Sequence, residues 1–133
     1  MSALANLKIL DFSTLLPGPF ATLVLADLGA QILRIEAPGR VDLARVLGAH
    51  DGDSSFVHRH LNRSKKSIAL DLKKRGAIEI IKQLIMEYDV VVEQFRPGVM
   101  EKLGLGYDAL KAINPKLIYC SLTGYGQTGP YKN

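Results

Sequence analysis

One cysteine, Cys120, stands in 133 residues. That excludes a disulfide framework and any metal site built on several cysteines. It also favours a reducing compartment, so a cytoplasmic location is expected. No apolar run approaches the roughly 18 residues a membrane-crossing helix needs, and no membrane association is expected. The opening residues, MSALANLKIL, lack a basic stretch ahead of an apolar one, so they do not read as a secretory leader. There is no internal repeat, no low-complexity tract and no linker. Excess charge is small, at +4. The positive residues are nonetheless bunched, in HRHLNRSKK (58–66) and KKR (73–75). Such a strip suits phosphate groups, whether of a small molecule or of nucleic acid. The five tyrosines and four phenylalanines are not interleaved with it, which argues against single-stranded nucleic acid.

What is present is one domain's worth of chain, residues 1–133, enough to bury roughly two thirds of its unfolded surface. LKILDFS reads as a buried strand and LLPGP as a turn. FATLVLADLGA reads as a helix ended by Gly29. QILRIEAPG is a second strand, and residues 40–62 read as irregular. KKSIALDL is a third strand. In KRGAIEIIKQLIMEY, Ile78, Ile81, Leu84 and Ile85 recur at helical spacing. DVVVEQF has the continuous apolar run of a strand covered on both faces. RPGVMEKLGLG predicts a turn and a short helix with Pro97 in its first turn. YDALKAINP predicts a helix stopped before Pro115, and KLIYCSLTG a fifth strand. Alternating strands and helices predict an α/β fold with a mainly parallel, Rossmann-like sheet and flanking helices.

Gly124-x-Gly126-x-x-Gly129 has the spacing of a dinucleotide turn. That turn needs a following helix and an acidic residue about 20 positions on, and neither is present. The glycines are better read as letting the backbone bend sharply at a strand end. His58 and His60 would share one face of a strand, but no further ligand has fitting spacing, so no metal site is expected. Asp51 and Asp53 read as turn residues. Cys120, among Ile118, Tyr119 and Leu122, reads as a buried inert thiol. Lys65, Lys73 and Arg96 lie after or beside strands, where an open α/β sheet places its ligand crevice.

Four stretches, DFSTLLPGPFATLVLADLGAQILRIEAPG, NRSKKSIALDLKK, VVVEQFRPGVMEKLGLGYDAL and NPKLIYCSLTGYGQTGP, resemble the class III CoA-transferase family in order and spacing. That family includes the α-methylacyl-CoA racemases, and the likeness runs from Leu7 to Pro130. It implies a Rossmann-like large domain that binds acyl-CoA as substrate, with no covalently bound cofactor. It also implies an interlocked homodimer of chains much longer than this one. The chain would then be the N-terminal part of the CoA-binding domain, with the remainder and the small domain absent. Its partner would be a second copy or a complementing C-terminal half. By the resemblance, Lys73 and Phe95 match CoA-contacting positions, and Leu70 and Lys102 are their companions. Leu15 and Leu16 match the turn lining the thioester end. Many relatives carry arginine at the position of Ala37, so Arg34 or Arg40 would have to substitute. Leu16 stands where formyl-CoA transferases carry glutamine, which tilts the substrate towards a bulky acyl group. The family's catalytic aspartate, and the histidine of the racemases' Gly-His-Asp motif, match nothing here. No catalytic residue is therefore assigned, and no turnover by this chain alone is expected.

Overall fold

The computed structural model describes residues 2–132. Five parallel strands form one sheet in the order β5-β2-β1-β6-β7. They are β1 (Lys8–Asp11), β2 (Gln31–Glu36), β5 (Lys66–Ala69), β6 (Val90–Glu93) and β7 (Ile118–Ser121). The α/β class and the parallel sheet are as predicted. The order runs outward from β1 in one direction, then returns to start again at β6. That makes the β1–β6 junction the switch point, where an open sheet parts its connections.

One face carries Leu10, Ile35 and Val91. They pack on Ile81 and Ile85 of α3 (Arg75–Ile85), Met100 of α4 (Val99–Lys102) and Leu110 of α5 (Tyr107–Ile113). The other face carries Ile9, Ile32 and Val92, covered by Leu25 and Ala26 of α1 (Pro17–Asp27). Ile9, Leu10, Ile81, Ile85 and Val91 have no exposed surface. Each such side chain contributes about 1.5–3 kcal/mol.

Several boundaries differ from the sequence reading. α1 begins at Pro17, because prolines in a first helical turn lose no hydrogen bond there. Pro97 lies outside α4, whose preceding residue is Gly98, at φ 82°. Residues 40–62 are ordered. They hold a short 3-10 helix (Leu43–Val46), a hairpin of β3 (His50–Asp51) and β4 (Ser54–Ser55), and α2 (Phe56–Asn62). The Ser55 hydroxyl caps α2 by accepting from the His58 N–H. Because His58 and His60 lie on a helix and not a strand, two positions apart turns them to different sides. His58 is buried and His60 exposed. Cys120 is exposed. β7 is an edge strand, and α1 covers the sheet nearer its centre, so the face bearing Ile118 and Cys120 is open among the described residues.

Candidate functional site

All five strands point the same way, so their carboxyl ends share one rim. Four loops leave it side by side. Leu15 and Leu16 follow β1, Arg40 follows β2, Leu70 and Lys73 follow β5, and Phe95 and Arg96 follow β6. The charged ends of Arg40, Lys73, Arg96 and Lys102 make no hydrogen bond or ion pair among the described residues. Lys102 is set apart on α4. Arg40 lines a shallow concavity of about 350 Å3 with Glu36, Ala37, Arg45, Ser67 and Ala69. Leu70 and Phe95 are half-buried against the core, and the Phe95 N–H is held by the Glu93 carboxylate at 2.8 Å.

Lys65 is the exception. The sequence placed its ammonium among phosphate-binding groups, but the side chain turns inward and is 1% exposed. It donates to the Pro19 carbonyl (2.7 Å) and the Thr22 hydroxyl (2.8 Å) and lies 3.8 Å from Asp11. Burial pushes its pKa down to about 8 against the opposing pull of Asp11. Lys65 therefore fastens α1 to the sheet and is not free for an anion.

Lys65 belongs to a wider polar layer on the α1 face that sequence reasoning missed. Asp11, fully buried, accepts from the Ser13 N–H (2.8 Å), the Ser13 hydroxyl and the Thr22 hydroxyl (2.5 Å). Arg34, also buried, donates to Asp42 (2.8 Å), Glu36 (3.2 Å) and His58 Nε2 (3.3 Å). Arg45 and the Ser67 hydroxyl complete the shell of Glu36. Burial alone would raise the Glu36 pKa, but Ser67, Arg34 and Arg45 outweigh it and hold it below the ordinary value. His58 is lowered, chiefly by burial and then by Arg45 and Arg34, so it stays neutral and can accept from Arg34. Three cations (Arg34, Arg45, Lys65) thus face three carboxylates (Asp11, Glu36, Asp42). A signal was available: Arg34 follows Ile32 on the same strand face, and Asp11 follows Ile9. Nothing local pointed to Asp42.

The turn after β1 is strained. Leu15 has φ 65°, a left-handed conformation that costs a side-chain-bearing residue about 1–2 kcal/mol. Leu16 precedes Pro17 yet holds helical angles, φ −116° and ψ −63°, which proline disfavours in the residue before it. Strain of this kind concentrates where a ligand is held. Close by, Gly18 packs so tightly that an added Cβ would lie 2.8 Å from Gln94 Oε1. Gln94 Oε1 and Thr123 Oγ1, at the carboxyl ends of neighbouring β6 and β7, are buried without a protein partner. Among the described residues no cluster of three His, Cys, Asp or Glu could hold a metal ion.

A parallel sheet with a strained turn, free cations and unpartnered polar atoms on one rim has the open-sheet α/β architecture, the class in which ligands sit at the carboxyl ends of the strands. The pattern of CoA-transferase family III matches residues 4–133, and the chain belongs to that family. It is 47% identical to the acetyl-CoA:oxalate CoA-transferase of Acetobacter aceti, over 94% of this chain and 32% of that protein. It is also 47% identical to the human succinyl-CoA:glutarate CoA-transferase, over 96% of this chain and 29% of that one. A crystal structure of a CaiB/BaiF family protein from Brucella suis superimposes with a TM-score of 0.91 at 40% identity, over 98% of this chain and 36% of that one. The chain spans about a third of the length of the curated relatives it matches. No helix is long and apolar enough to cross a membrane among the described residues.

Proposed function

We propose that this chain provides the acyl-CoA-binding rim of a family III CoA-transferase or racemase, as the N-terminal part of its large domain. The observation that carries this reading is the rim between β1 and β6. There a strained Leu15–Leu16 turn follows β1, the unpartnered Gln94 and Thr123 oxygens lie at the carboxyl ends of β6 and β7, and Arg40, Lys73 and Arg96 are uncommitted on the rim's loops. Phosphates of CoA would be met by Lys73, Arg40, Arg96 and Lys102, since guanidinium and ammonium groups make the strong charge-assisted bonds to phosphate. Leu70 and Phe95 offer apolar packing to the base, and Leu15 and Leu16 border the thioester end. Lys65 contributes by bracing α1.

Racemisation removes the proton α to a thioester carbonyl and needs an acid/base pair. Transfer needs a carboxylate nucleophile. Asp11, Asp42 and Glu93 are buried and already accept hydrogen bonds, so none is poised for either role. We expect no turnover by this chain alone, and no covalent cofactor is needed for its part. Association with a second copy or a complementing chain, in the cytoplasm, fits the apolar stripe of Leu16, Phe20, Val24 and Leu28 exposed along α1. One relative is named as a β subunit, a succinyl-CoA–L-malate CoA-transferase from Chloroflexus aurantiacus.

Calorimetric titration of the 133-residue chain with CoA tests the proposal. Saturable binding is expected, weakened about tenfold in Lys73→Ala by loss of one charge-assisted contact of about 1.4 kcal/mol. Absence of saturable binding would overturn it.

A further inference from the structure

We propose that Asp42 is a positioning residue that locks the strained turn after β1 to the loop after β2, so that the two ligand-facing loops are held as one unit. Asp42 is 7% exposed, and both its oxygens are used. Oδ1 accepts from the N–H groups of Leu15 (3.2 Å) and Ala44 (3.0 Å). Oδ2 accepts from Arg34 Nη2 at 2.8 Å. Arg34 is itself fixed on β2 by Glu36 and His58.

The Leu15 contact reaches across 27 residues, from one connection of the sheet to another. It falls on the residue that the turn holds at φ 65°, beside a second residue in a disfavoured conformation. Such a backbone persists only where its surroundings over-determine it. Within the turn, Leu16 is held by the start of α1, where its carbonyl accepts from the Phe20 N–H (2.9 Å). The Leu15 N–H has Asp42 as its acceptor. Asp42 lies two residues after Arg40, so the same carboxylate sets where the Arg40 loop leaves the sheet rim. A side chain that touches no ligand would therefore govern two neighbouring loops of the binding rim. For its ligand consequence, this inference rests on the CoA reading above.

Amide hydrogen exchange on the full chain, followed residue by residue by NMR, tests the lock without any ligand. The wild-type Leu15 amide should exchange slowly, in the range of Leu10 and Leu33 in the core strands. Fast exchange there would overturn the proposal whether or not any variant folds. In Asp42→Ala, Leu15 exchange should rise at least tenfold while Leu10 and Leu33 keep their rates. A uniform rise across the strands would mean that Asp42 only stabilises the fold, and would equally overturn it. Asp42→Asn, which keeps an oxygen for Leu15, should restore most of the protection. In the CoA titration, Asp42→Ala should weaken binding about tenfold and Asp42→Asn less. Unchanged affinity in Asp42→Ala, alongside faster Leu15 exchange, would refute control of the rim. Wild-type chain that binds no CoA would count against the CoA reading, while the Leu15 rates would still decide the lock.

Discussion

Gly18 and Gly76 are each the second residue of an 11-residue helix, α1 and α3. The same substitution should move stability in opposite directions at the two sites. At Gly76 a Cβ would meet nothing within 4 Å. Alanine there restricts the unfolded chain and suits the helix, so Gly76→Ala should stabilise by about 0.5–1 kcal/mol. At Gly18 the added Cβ would lie 2.2 Å from Ser13 Cβ and 2.3 Å from Ser13 Oγ. Ser13 cannot swing aside cheaply, because it is fully buried and gives both its N–H and its hydroxyl to Asp11. The helix cannot easily lift either, since Lys65 grips the Pro19 carbonyl. Overpacking costs of about 1–3 kcal/mol apply near their upper end, against a propensity gain of about 1 kcal/mol. A net loss of about 2 kcal/mol follows for Gly18→Ala. Equilibrium urea unfolding reads this as a fall in midpoint of about 1 M, given slopes of about 1–3 kcal/mol per M. Equal stability of the two alanine variants would refute the packing account of the turn after β1.

The buried polar layer yields two further tests. Thr22→Val keeps the side chain's shape but strips Asp11 Oδ2 and the Lys65 ammonium of their shared hydroxyl. A loss of about 2–3 kcal/mol in urea unfolding is expected, and a neutral result would show that Asp11 and Lys65 satisfy each other directly. His58 has a pKa below its ordinary 6.5, so the unfolded chain binds a proton more readily than the fold does. Stability should therefore fall as pH drops from about 6.5 towards the folded value, where a charged imidazole would face Arg34 and Arg45. His58→Gln should flatten that part of the stability–pH curve, and an unchanged slope would assign the acid sensitivity elsewhere. Glu36, also held below its ordinary value, contributes only in the lower window under pH 4.5.

What could be read in advance follows from how far each signal reaches along the chain. Val90, Val91 and Val92, and the spacing of Ile78, Ile81 and Ile85, announce a buried parallel strand and a one-sided helix. Those patterns are local and periodic, and the sheet that results puts every loop carrying Leu15, Arg40, Lys73 and Phe95 on one rim. Residues 40–62 were illegible because their short elements owe their order to distant partners. Ser55 bonds to the Ala44 carbonyl, Asp42 to Leu15 and Arg34, and His58 to Arg34. None of these pairings has a period. Lys65 was misplaced for the same reason. A lysine beside a strand looks like a free cation until the fold brings Asp11, 54 positions earlier, beneath it. The charged residues inside apolar strands, Asp11 and Arg34, were the legible trace of this layer, since a charge on a core-facing position must find a partner or stay out of the core. The layer packs directly beneath the loops of the rim. The polyanion site proposed above and this framework of buried ion pairs draw on neighbouring residues. Substitutions in the framework should therefore alter binding without removing any contact to the ligand.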